Sequence, residues 1–523
     1  MKQPHAIRRN LVSILLCIAV QSASLAVATP RAAGGSDDLS LVASAAEGRS
    51  AIRQSPVSND QPSTSLTYTL YLPAIAYTHP PLSSAGVEAS GSGTSYTGQI
   101  SRMSQAGAQF TRIAGVWWPD VQATEGVGNY DWSAISWIDS DLAAASAQGL
   151  TPILVVRGTP AWAQLYTGYS CGPILESKLS AFGDFMAALV TRYSQPPYNV
   201  KYWEMGNEPD VDPYVIDNFA SDSDIGCWGD STDTAGFGGS RYAAMLKVVY
   251  PRVKAVDPSA QVLVGGLLLD CDPTPGVQGC QTYNHSALPP LFLTGILAAG
   301  GGPYFDGIAF HAYDYNFQVL GVYSLNTFHS TSSTTGPSSA AKAEYLRNVL
   351  SAYSVSGKYL LTTESALLCS SCDGVPAYEM TKAYYVAQLY AQSISLDLRV
   401  SAWYSVLGWF GRSTALLNTD LSARPAYTAY NAVTTLLGGT SYVGPVTSAD
   451  VGGAAPVLGY KFTRGGERLW IVWSADAAAH TLTLPTPAQQ EWDVFGAPIT
   501  PTDSVTVTLS PSDRLLVYLE WSP

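Results

Sequence analysis

From about residue 83 the hydrophobic positions switch repeatedly between two periods. Short apolar runs of strand length fall at 85–89, 109–116, 151–156, 200–205, 261–269, 305–310, 359–363 and 400–406. Between them lie stretches with apolar residues at helical spacing, such as 132–148, 179–193, 241–256, 340–353, 377–395 and 426–437. Strands alternating with helices give parallel sheets. Eight such units over 83–437 predict an α/β protein built on a (β/α)8 TIM barrel with long loops. An open doubly wound sheet is the alternative. It usually carries a Gly-rich phosphate turn after its first strand, and this chain has none there.

After Gly438-Gly439 the pattern changes to apolar runs at 460–462, 469–473, 481–484, 492–494, 505–509 and 515–519, separated by turns. No helical stretch intervenes, which predicts a small C-terminal antiparallel β-sandwich over 438–523. At the other end, Lys2, Arg8 and Arg9 precede an apolar run at 11–20 and the small-residue sequence Ala26-Val27-Ala28. This is the pattern of a signal peptide over 1–28. The run is too short to span a bilayer comfortably. Residues 29–64 are rich in Ser, Ala and Gly and predict a disordered linker. Residues 65–82 read as a strand-like lead-in, with Pro73 arguing against a central strand.

Composition narrows the function. The net charge is −13, with no basic cluster, which excludes a nucleic-acid partner. Only 13% of residues are charged, while the chain holds 13 Trp and 31 Tyr, which suits a neutral ligand. No stable membrane insertion is expected after signal cleavage, and the mature chain is expected to be a secreted monomer. Export leaves six cysteines, for which fifteen pairings exist. Proximity in sequence favours Cys271–Cys280, Cys369–Cys372 and Cys171–Cys227. The CxxC at Cys369 stands alone, so it reads as a loop clip rather than a zinc or redox element. The histidines are scattered, and GxSxG, P-loop and HExxH motifs are missing, so no metal or cofactor is implied.

In a (β/α)8 barrel, reactive side chains project from the carboxyl ends of the strands. The fourth strand ends in Trp203-Glu204-Met205-Gly206-Asn207-Glu208-Pro209-Asp210 and the seventh in Thr362-Thr363-Glu364-Ser365. Each side of the mouth therefore offers a carboxyl group. Cleavage of a glycosidic bond needs two, one to protonate the leaving oxygen and one to attack or to activate water. Glu204 shares parity with Glu208 and is assigned a structural role inside the barrel.

The segments WEMGNEPD and TTES, in this strand order, resemble those of clan A glycoside hydrolases. They are similar to glycoside hydrolase family 39 and related extracellular polysaccharide hydrolases, over about residues 83–437. The resemblance implies a retaining double displacement with Glu208 as acid/base and Glu364 as nucleophile. The charge on Glu364 would keep a proton on Glu208 until glycosylation removes that charge. It further implies that Arg112 holds the nucleophile ionised, Asn207 binds the sugar 2-hydroxyl, Tyr313 donates to Glu364, His311 binds substrate and Trp403 stacks on sugar. Trp118 and Trp162, with Trp117, follow the second and third strands and are candidates for further sugar subsites. The expected partner is a neutral β-linked poly- or oligosaccharide, with endo action preferred. The same two glutamates would also serve a transglycosylase, and an inactive carbohydrate-binding barrel is a third reading.

Overall fold

The computed structural model describes residues 85–90, 94–213, 225–269, 289–316, 323–324, 337–454, 456–500, 506–510 and 514–522. The expected signal peptide, linker and strand-like lead-in, together with Cys271 and Cys280, lie outside them. Eight parallel strands form a closed barrel: β1 (Ala85–Glu88), β2 (Phe110–Trp117), β3 (Thr151–Arg157), β4 (Tyr202–Asn207), β5 (Gln261–Leu267), β6 (Gly307–Asn316), β7 (Tyr359–Leu368) and β8 (Ser401–Tyr404). Closure runs through β8, whose Ser401 pairs with Ala85 of β1. Helices alternate with the strands, as expected. Two were not foreseen. Thr94–Gln105 is rich in Ser and Thr but buries Tyr96, Ile100 and Met103 along one face. Leu291–Ala298 is too short and too uniformly apolar to show a helical period.

The barrel interior is layered, and the layering places the polar site. Phe110, Ile153, Leu263, Ala309, Leu361, Val400 and Ala402 form an apolar plug, with Tyr202 and Tyr359 against it. Alternate strand residues share a face. Two positions beyond Phe110, Tyr202 and Leu361 therefore stand Arg112, Glu204 and Thr363, in the layer nearer the mouth. The strand register also shifts here. Phe310 pairs with Thr362 but His311 pairs with Glu364, so β7 carries one extra residue at the site. A bulge of this kind re-aims the side chains around it.

The C-terminal region holds a six-stranded antiparallel sheet and a two-stranded one, the latter made of His480–Thr483 and Thr506–Leu509. Along the strand Glu467–Ser474, Leu469, Ile471 and Trp473 join the core shared with the barrel helices. Trp470 and Val472 face the other way, onto Leu482, Val507 and Leu509 of the small sheet. The large sheet is thus buried on both faces, and the expected sandwich has one face of its larger sheet cemented to the barrel. Its outer strand, Ser441–Pro445, is mostly exposed and lacks the apolar run that marked the others. Disulfides join Cys171 to Cys227 and Cys369 to Cys372. Among the described residues no helix is long and apolar enough to cross a membrane.

Candidate active site

At the end of β4 the chain turns sharply. Gly206 has φ 93° and Glu208 has φ 48°, the second an unusual left-handed conformation for a residue with a side chain. Strain of this kind persists only where neighbours impose it. Here the Glu208 amide donates to the carbonyl of Gly266 on β5 at 2.9 Å. The turn lifts the Glu208 carboxyl off the strand axis and toward β6 and β7. One polar side-chain atom each from Glu208, His311 and Glu364 then lie within 4.8 Å of one another. Both glutamates are 8% exposed, so they are shielded yet reachable from the mouth.

Arg112 binds this cluster together. Its Nη1 donates to Glu364 Oε1 at 2.6 Å and to Glu88 Oε2 at 2.9 Å. Its Nη2 donates to Asn207 Oδ1 at 2.6 Å and to Glu204 Oε1 at 2.9 Å, and its Nε to Glu204 Oε2 at 3.1 Å. All five guanidinium N–H groups are used, in the rigid fork that only arginine provides. The second oxygen of Glu364 accepts a hydrogen bond from the Tyr313 hydroxyl. Burial and the Glu364 charge hold that hydroxyl well above the usual tyrosine range, so it stays a donor.

His311 is fully buried, and its Nδ1 lies 2.8 Å from Glu208 Oε1 and 3.6 Å from Glu364 Oε2. Burial lowers its pKa to about 4, so the ring is neutral near neutral pH. Asp210, two residues past Glu208, accepts from the amides of Leu268 and Leu269 at 2.8 and 2.9 Å. Burial outweighs those bonds and pushes its carboxyl up to about 7.

The structure thus brings Arg112, Asn207, Glu208, His311, Tyr313 and Glu364 to one place. It does not bring Trp403, Trp118 or Trp162 there. Trp403 and Trp118 are completely buried, which corrects the expectation that they contact sugar. Trp403 donates its indole N–H to the Thr414 carbonyl and packs on Tyr385, while Trp118 donates to Gln122 and stacks against Phe182 and Phe185. Both point outward from the barrel into the helix layer. Trp162 is partly buried beside Trp118 and is tied to the Gln122 carbonyl. Trp117, at the end of β2, is partly exposed under the Arg157 guanidinium.

A tryptophan that sequence reasoning missed, Trp409, packs on Tyr313, the partner of the nucleophile. It is partly exposed and packs on Tyr313 and Tyr404, with ring centroids 5.4 and 5.5 Å away. It lies on the loop after β8, where no strand period announces its direction. Glu88 was missed as well, because it closes a four-residue strand with no motif around it. A third omission is Gly266, whose missing side chain leaves room for His311 and Glu204.

Comparison with known proteins gives no matching family model and no matching curated protein. Solved structures do match. A family 39 glycoside hydrolase from the gut symbiont Bacteroides cellulosilyticus WH2 superposes with TM-score 0.62 at 19% identity, over 84% of this chain and 81% of that one. A GH30 endoxylanase from Clostridium papyrosolvens C71 gives TM-score 0.52 at 12% identity, over 86% and 98%. A GH39 enzyme from Xanthomonas axonopodis pv. citri gives 0.51 at 15% identity, over 85% and 95%. At these identities the likeness is one of fold. With its closed barrel, its C-terminal sheets and its paired strand-end glutamates, the chain has the fold of glycoside hydrolases of families 39 and 30.

Proposed function

We propose that this protein is a secreted retaining glycoside hydrolase acting on a neutral β-linked polysaccharide or its oligomers. The observation that carries the reading is the closeness of Glu208 and Glu364 at the ends of β4 and β7, with one carboxyl oxygen of each within 4.8 Å of the other. Retaining enzymes hold their carboxyls about 5–5.5 Å apart, whereas inverting enzymes leave about 6.5–9.5 Å for a water. Glu208 donates its proton to the leaving oxygen as Glu364 attacks the anomeric carbon and forms a glycosyl ester. Glu208 then takes a proton from water, which attacks that carbon and releases Glu364. Arg112 and Tyr313 hold both oxygens of the nucleophile, so it meets the sugar in a fixed pose. Asn207, anchored on Arg112, stands beside Glu208 to bind the sugar 2-hydroxyl.

The neighbouring endoxylanase supports a polymeric β-linked substrate, and the low charged fraction of the chain, 13%, with the Trp409–Tyr313 pair at the site, supports a neutral one. Two disulfides support an oxidising, extracytoplasmic location. The deciding experiment is incubation with β-glucan, β-mannan and xylan, with chain length followed by chromatography and the first-formed anomer by NMR. Release of β-configured products that later mutarotate supports the reading. Release of the α-anomer first, or no cleavage of any glycoside, overturns it.

A further inference from the structure

Three buried carboxyl groups converge on one guanidinium. Glu88, Glu204 and Glu364 are 5%, 0% and 8% exposed, and Arg112 is 2% exposed. If all three were ionised, the cluster would hold two uncompensated negative charges away from water, which is costly. One proton on any of them would halve that excess, and the donors around each bear on which one holds it. Glu204 accepts two N–H groups of Arg112, the Gly266 amide at 3.0 Å and the Thr363 hydroxyl at 3.3 Å. Glu204 is thus met by four donors. Glu364 accepts from Arg112 and from Tyr313. Among the described residues Glu88 receives a single N–H, from an Nη1 that it shares with Glu364 and at the longer distance of the two.

We propose that Glu88 is a positioning residue that carries the proton of this cluster and, as a neutral acid, holds Arg112 Nη1 against the nucleophile Glu364 without competing for its charge. The surroundings agree. Burial, the largest effect, pushes the Glu88 carboxyl up to about 8, and Glu364 and Glu204 add to this against the pull of Arg112. Among the described residues two tyrosines also stand near: Tyr96, whose hydroxyl is affected by the Glu88 charge, and Tyr404, which pairs with Glu88 across the β1–β8 register. Neither supplies a second positive charge. An ionised Glu88 would instead draw Nη1 away from Glu364 and add a negative charge beside it.

The inference rests on the glycosidase reading for its kinetic consequence, but not for the proton itself. Infrared difference spectra between wild type and Glu88→Gln, on protein labelled with carbon-13 glutamate, test the proton without any substrate. A protonated carboxyl band in wild type at pH 6, missing in Glu88→Gln and lost from wild type above about pH 8, supports the proposal; no such band overturns it. Kinetics then test the positioning. Glu88→Ala and Glu88→Asp, which remove or shorten the acceptor, should each lower kcat about 100-fold with little change in KM. Glu88→Gln, a neutral acceptor of the same reach, should recover most of that loss. Equal damage by Gln and Ala overturns the positioning role. A wild type that cleaves no glycoside would end the glycosidase reading while leaving the infrared result to decide the proton.

Discussion

His311 Nδ1 lies 2.8 Å from Glu208 Oε1, and burial keeps the ring neutral down to about pH 4. A neutral imidazole can donate to an ionised Glu208 or accept from a protonated one, so the contact survives both states of an acid/base residue. His311→Phe keeps the ring volume and removes the contact. It should lower kcat by about 100-fold or more, since acid–base catalysis is worth about 10²–10⁴-fold. Steady-state kinetics beside a circular dichroism melt check this, and an unchanged kcat would remove His311 from the site's chemistry.

The carboxyl pair itself gives the sharpest kinetic contrast. Glu364→Gln should lower turnover by several orders of magnitude for every substrate, because it removes the attacking carboxylate. Glu208→Ala should be less harmful for aryl glycosides, whose leaving groups need no proton. Azide added to Glu208→Ala should restore turnover and give a β-glycosyl azide, identified by NMR. An α-azide would contradict the double displacement.

Much of this was legible in the sequence, and the limits have physical causes. Strand and helix periods located the barrel, because strands buried on both faces read as continuous apolar runs. The strand-end rule then located Glu208 and Glu364. Direction was harder to read. Trp403 and Arg112 both lie on barrel strands, yet one faces the helices and the other the interior, and a four-residue strand offers too few neighbours to fix its phase. Glu88 needed three-dimensional closure, since nothing local marks it as the third acid on Arg112.

That difference in direction separates two tryptophans by experiment. Trp403→Ala should destabilise the fold by about 3–5 kcal/mol, the usual cost of emptying a buried aromatic site. Trp409→Ala should leave the melting temperature nearly unchanged and raise KM, because this ring is partly exposed beside Tyr313. Chemical denaturation and KM on oligosaccharides together decide. A large KM effect from Trp403→Ala in a fully stable protein would restore its sugar-contacting role.

Stability should fall as pH rises from about 5 to about 8. Glu88 and Asp210 have folded values near 8 and 7, above the ordinary carboxylate range, so across this window the folded chain holds two protons that the unfolded chain releases. More protons on the folded state means stability is lost as pH rises. His311 acts in the opposite sense, but only between about 4 and 6.5, where the unfolded chain takes up a proton and the folded one does not. Two groups outweigh one. Urea denaturation at pH 5, 6.5 and 8 measures the slope, and Glu88→Gln should make it shallower. A slope of opposite sign would show that other groups dominate.

Gly266 supplies the last test, because it touches both halves of the site. Its amide donates to Glu204 and its carbonyl accepts from Glu208, so the backbone here cannot move without disturbing both. A methyl group at this position would meet His311 Nε2 at 2.2 Å and Glu204 Oε1 at 3.0 Å. The first distance is far inside contact, and the imidazole cannot swing aside without leaving Glu208. Gly266→Ala should therefore cost about 1–3 kcal/mol of stability, the usual range for overpacking, and lower kcat as His311→Phe does. The clash is with one ring, so removing that ring should relieve it. The double variant Gly266→Ala, His311→Ala should be more stable than the two single changes predict by addition, a coupling that a double-mutant cycle reads directly. Strict additivity, or a fully active Gly266→Ala, would show that His311 is not wedged between Gly266 and Glu208.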